Sequence, residues 1–154
     1  MAQDMYLQLK GIEGASTRAG REGWIEVSAA SWGVAQVDPG AGRRRMNVAA
    51  RPLSVTAPVE AASALLFEAI AAGTAISTAT LDVEAPNESG ASTVVLSWTL
   101  ENVVVASLDI DASDASVQTF ALEAERVRLS VAGSARGQSV PTVRGWDFAR
   151  NRRW

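Results

Sequence analysis

Asp109, Asp111 and Asp114 sit in the stretch LDIDASD, and their spacing matches part of a calcium-binding loop. That loop also needs a glycine at its sixth position and a bidentate glutamate downstream, and this stretch has neither. A solvated hairpin turn fits better, because Asp and Ser side chains hydrogen-bond the backbone of turns. Asp82 and Glu84 are an acidic pair to weigh for carboxylate-dependent hydrolysis, but strand alternation puts both on an exposed face. Arg43, Arg44 and Arg45 form a basic triplet beside a Pro/Gly loop. Guanidinium forks recognise phosphates and carboxylates. The triplet reads as a solvated loop, as a charged contact with a neighbouring subunit, or as a nucleic-acid contact. The chain closes on VRGWDFARNRRW, which sets Arg144, Arg150, Arg152 and Arg153 among Trp146 and Trp154.

The residues that are missing say as much. The chain has no cysteine and no histidine. Disulfides, thiolate catalysis, Cys-ligated metals and the commonest acid/base group near neutral pH are therefore excluded. No catalytic, metal or cofactor site is expected. The formal charge of −3 argues against generic nucleic-acid binding, which draws on a basic footprint. At 154 residues, 47% hydrophobic and 20% charged, the chain has the size and composition of one globular domain, residues 1–154. No segment approaches the roughly 20 apolar residues of a membrane helix. The opening MAQDMYLQLKG has an early Asp4 and no basic flank, unlike a signal peptide. The expectation is synthesis in the cytoplasm and, if the protein leaves, exit by another route than general secretion.

Strands must position most of these residues. Met5, Leu7 and Leu9 alternate with polar neighbours, the period of a half-buried strand. Residues 24–34 form a second strand whose apolar phase shifts near Ser28, the mark of a bulge or bend. Residues 43–55 resume an extended pattern. Residues 58–72, PVEAASALLFEAIAA, read as a helix with Ala62, Leu65, Leu66, Ala69 and Ile70 on one stripe. Thr56 or Ser63 is placed to cap its start, and Gly73 its end. Residues 76–85, 93–108 and 117–131 complete the long strands. Along the second of these, Val94, Leu96, Trp98 and Leu100 alternate cleanly, but Val103, Val104 and Val105 are apolar on both faces. On the third, Phe120, Leu122 and Ala124 hold one phase, and Val127, Leu129 and Val131 the other. A strand apolar on both faces must be covered on both. The cover is the helix or another copy of the chain, and self-association is the usual form of such an interface. The architecture expected is mainly β: a closed or nearly closed antiparallel barrel of seven or eight strands with one flanking helix. A lone barrel of this kind would bind a small ligand or glycan only if Trp24, Trp98 or Trp146 lined an internal cavity.

Several stretches, in order, resemble the haemolysin-coregulated protein (Hcp) family, the tube protein of type VI secretion systems. DMYLQLKGIEGAS is similar to that family's opening strand and loop, IEVSAASWGV to its second strand, and RPLSVTAPVEAASALLFEAIAAG to the strand leading into its single helix. LENVVVAS resembles its long hairpin strand and GWDFARNRRW its terminal strand and tail. The sequence departs from the family pattern at AGREG, at Ala64 and in the short ASDAS turn. The resemblance implies a barrel with one helix and six copies in a ring. Rings would stack into a hollow tube that a contractile sheath ejects, with a spike at its tip and effector proteins in the lumen. It also implies that the loop over residues 40–47 reaches the adjacent ring. A tube protein of a phage tail or an extracellular injection particle shares that fold. On this reading the protomer or ring interface takes in Arg43, Arg44, Arg45, Val103, Val104, Val105, Val127, Leu129, Arg150 and Arg152. The partners are copies of the chain, with no nucleic acid and no membrane insertion.

Overall fold

A computed structural model describes residues 3–37, 47–113, 116–135 and 138–154. The elements run β1 (Asp4–Leu9), β2 (Ile25–Val27), β3 (Ala29–Val37), β4 (Asn47–Pro58), α1 (Ala61–Ala72), β5 (Ile76–Pro86), β6 (Ser92–Asp111), β7 (Val117–Val131), β8 (Ser134–Ala135), β9 (Gln138–Ser139), β10 (Thr142–Asp147) and β11 (Arg152–Arg153). All pairings are antiparallel. The main sheet is ordered β11-β10-β7-β6-β5-β1-β2, with β4 also on β7 and β3 on β4. Strand β7 is long enough to serve two neighbours on one side, β4 with its first half and β10 with its second.

Of the expected closed or nearly closed barrel, the structure shows an antiparallel sheet whose ladder stays open. Pairing with β1 stops at Val27, and pairing with β4 begins at Ala29. The gap is one residue, Ser28, whose N–H and hydroxyl both donate to the Thr56 carbonyl, at 2.8 Å and 3.0 Å. The phase change in the sequence at this point is that bend.

The two-faced valines have a different cause from the one expected. Asn102 takes a left-handed φ of 53°, and the ladders on both sides skip it. Register is nevertheless unbroken, with Glu101 opposite Arg126 and Val103 opposite Ala124. The strand therefore keeps its partners while the inward-facing position moves by one residue. Asparagine tolerates this backbone better than any branched residue. On β6 the buried series runs Leu100, Val103, Val105; on β7 it runs Phe120, Leu122, then Val127. All of them enter one cluster with Leu7, Leu53, Val55, Leu66 and Leu81. Val103 and Val105 thus lie in the core of the protomer, and Val127 both joins that core and lines a cleft described below. Val104 points outward at 39% exposure. Val103→Ala should destabilise the protein by about 2 kcal/mol, the loss of two methyl groups plus a small cavity. Val104→Ala should fall within about 0.5 kcal/mol of wild type. Urea unfolding of the two variants checks the assignment, and equal losses would restore the two-sided reading.

Helix α1 closes one end of the sheet. Its N-cap is Glu60, not Thr56 or Ser63; Ser63 accepts the Glu60 N–H through Oγ at 3.1 Å. Gly73 ends the helix in the left-handed region (φ 65°), where a Cβ is disfavoured, and its N–H donates to Ile70 O. The buried positions are Ala62, Ser63, Leu66 and Ala69. Leu65, expected on the inward stripe, is exposed. Beneath the first turn, Gln118 is fully buried. It accepts the Ser63 hydroxyl at 2.8 Å and donates to Pro58 O at 3.0 Å, tying helix, β4 and β7 together.

Candidate functional site

The loop between β1 and β2 is clamped onto the outer face of β1 and β5. Arg21 donates to Asp82 at 2.6 Å and lies 3.5 Å from Glu84, with its guanidinium 4.4 Å from the Trp24 ring centre and 5.6 Å from that of Tyr6. Arg18 bonds the Tyr6 hydroxyl and Asp4, which together hold its guanidinium above its ordinary pKa. Asp82 also accepts the Ser97 hydroxyl at 2.6 Å. Asp82 and Glu84, expected on an exposed face, are therefore roofed by two arginines, with side chains only 13% and 12% exposed. Asp82 is hydrogen-bonded within the clamp, and Glu84 lies within ion-pair distance of both arginines.

The C-terminal segment is not a loose tail. Residues 147–151 turn, with Asn151 left-handed at φ 52°, and β11 returns along β10. Asp147 is buried and accepts both the Arg150 N–H, at 2.9 Å, and its guanidinium, at 3.0 Å. Trp154 lies over Arg128 at 4.0 Å and Arg126 at 5.4 Å, and Arg126 also pairs with Glu101 across the strands. Gly145 makes room for this: a Cβ there would come within 2.9 Å of Trp154 O. Arg150 thus has a carboxylate partner in its own chain, while Arg152 faces solvent. The Arg150 N–H holds the Asp147 carboxyl below the usual aspartate range. A carboxylate whose pKa is lowered by folding stabilises the fold above its unfolded value, about 3.9, and loses that contribution as pH falls through the folded value. Asp147→Asn should therefore flatten the acid limb of the stability profile below about pH 4. An unchanged acid limb in pH-resolved thermal melts would contradict the assignment.

Glu60 shows the opposite sign. Burial pushes its carboxyl up, although Oε2 accepts the Ala15 N–H at 2.7 Å. Of the acids in LDIDASD, Asp111 accepts the Ser113 N–H at 3.1 Å, a turn contact, and Asp114 lies outside the described residues. No group of three potential metal ligands comes together among the described residues. Arg43, Arg44 and Arg45 also lie outside them. No helix among the described residues is long and apolar enough to cross a membrane.

The tryptophans do not converge on one internal cavity. Trp24 is stacked under Arg21 on the outer face. Trp98 lines a hollow of about 350 Å³ with Met5, Leu96 and Val131. Trp146 lines a separate cleft of about 370 Å³ between the β3–β4 hairpin and the β7–β10 pair, walled by Trp32, Val34, Val48, Leu129 and Phe148, with Arg144 also lining it. The indole N–H groups of Trp98 and Trp146 are buried with no acceptor. Of the expected interface residues, Val127 and Leu129 line this cleft, and strand alternation had not pointed to them as part of a groove.

The features found among the described residues are surfaces, clamps and a cleft. No curated protein matches the sequence significantly. Among solved structures, Hcp1 from Salmonella typhimurium is 25% identical, with both chains covered completely and a TM-score of 0.83. A structure described as a type six secretion system protein is 21% identical over 99% of this chain and 100% of its own, with a TM-score of 0.84. Hcp2 from Salmonella typhimurium is 23% identical over 97% and 98%, with a TM-score of 0.72. The family described as type VI secretion system effector, Hcp, matches residues 6–132. On that match, and with a fold similar over the whole length of a solved member, the protein belongs to the Hcp family of the type VI secretion system.

Proposed function

We propose that this chain is a structural tube protein that works by self-assembly and catalyses no reaction. Six copies form a ring, and rings stack into a hollow tube. The whole chain serves as one building block. The tube is assembled inside the producing cell, driven out by a contractile sheath behind a spike, and carries effector proteins in its lumen. The observation that carries this reading is the family match over residues 6–132. The tied-up carboxylates and the absence of His and Cys agree with a passive role. Exposed Arg152 and Val104 and half-buried Leu129, together with Arg43, Arg44 and Arg45, are proposed contacts between copies. Negative-stain microscopy of purified protein should show rings with an open centre. A monodisperse monomer at high micromolar concentration would overturn the proposal.

A further inference from the structure

The element that is apolar on both faces is the helix. Its inward face enters the core, and its outward face is Ala61, Ala64, Leu65, Phe67, Ala71 and Ala72, with Glu68 as the only charge. Phe67 is 67% exposed and Leu65 42%. A helix that is hydrophobic all round is ordinarily covered all round. Small alanines on either side of Phe67 would let another surface approach closely.

The same chain carries a surface that fits. The cleft between the β3–β4 hairpin and the β7–β10 pair is open, apolar, and about 370 Å³ in volume, enough for an aromatic side chain. Its lining includes Arg144, an exposed cation whose guanidinium, among the described residues, donates to its neighbour's backbone, Val143 O. Its wall includes Trp146, whose buried indole N–H lacks an acceptor. Cleft and helix therefore match in hydrophobicity and are opposite in charge, Arg144 against Glu68.

The helix cannot fill its own chain's cleft. Leu65 and Glu68 share a hollow with Ile12 and Ile76, and Ile76 pairs with Val103. The cleft lies where Leu129 pairs with Trp98, five residues away along β6, about 16 Å of strand. Two different patches that complement each other make a head-to-tail contact, which closes into a ring if the rotation allows.

Resting on the ring reading above, we infer that the outer face of α1 docks into the β3–β4/β7–β10 cleft of the next copy, with Phe67 in the cleft and Glu68 against Arg144.

Three variants test this in the intact chain: Phe67→Asp, Glu68→Arg and Arg144→Glu, all at exposed positions. Each should keep its circular dichroism spectrum and melting temperature as a protomer. By light scattering after size exclusion, Phe67→Asp should run as a monomer at concentrations where the wild type forms rings. Glu68→Arg and Arg144→Glu should each raise the concentration needed for assembly about tenfold, and the double charge swap should bring it back towards wild type. Rings that survive Phe67→Asp, or single charge reversals with no effect, would overturn the docking and leave the ring standing. A wild type that never assembles would overturn both.

Discussion

Gln118→Leu is expected to destabilise the protein by about 2–6 kcal/mol, because it strands two buried polar groups at about 1–3 kcal/mol each. The Ser63 hydroxyl loses its acceptor and the Pro58 carbonyl its donor. Leucine resembles glutamine in bulk, so cavity formation contributes little and the loss reports the hydrogen bonds. The network spans the entry to α1, the end of β4 and the start of β7, elements far apart in sequence. Urea unfolding should show a lower midpoint with an unchanged slope, since the surface exposed on unfolding is the same. Ser63→Ala combined with Gln118→Leu should cost less than the sum of the two, because the hydroxyl left without an acceptor is then absent. Additive losses would mean that Ser63 and Gln118 do not act through each other.

Phe120→Ala is expected to cost about 3–5 kcal/mol. Phe120 is fully buried, stands opposite Val55 on β4 and Leu108 on β6, and lies where β7 is shared between those two strands. Its removal opens a cavity at a point where backbone ladders on both sides resist collapse. At about 2–4 °C per kcal/mol for a chain of this size, the melting temperature should drop by about 6–20 °C. Phe67→Ala provides the contrast. The same side chain on the outer face of α1 is 67% exposed, so the protomer should lose no more than about 0.5 kcal/mol. Comparable losses at the two phenylalanines would mean that the core has been misplaced.

Both predictions concern positions where periodicity points the right way. The long strands, the bend at Ser28, the helix and its Gly73 stop follow from local patterns. Alternation, an Ala/Leu-rich run and a glycine at a left-handed position are each set by a few neighbouring residues. The order of those stretches also carried the family resemblance, and with it the tube function.

Tertiary structure decided the rest. Alternation assumes that every residue of a strand keeps an extended backbone. A single left-handed asparagine, Asn102, moves the inward face by one residue without disturbing register, and period counting cannot see a dihedral angle. Val103 and Val105 are therefore sheltered in one protomer, while Val104 and the outer face of α1 stay exposed. Asp82 and Glu84 look solvent-facing within their own strand, yet Arg18 and Arg21 arrive from another loop to cover them. The closing arginines look like a wet tail until Asp147 caps the turn and Trp154 folds back over Arg128. Residue types and local period fixed which segments are strand or helix; long-range contacts between distant segments chose which faces are buried, which charges are paired and which surface is left for another copy.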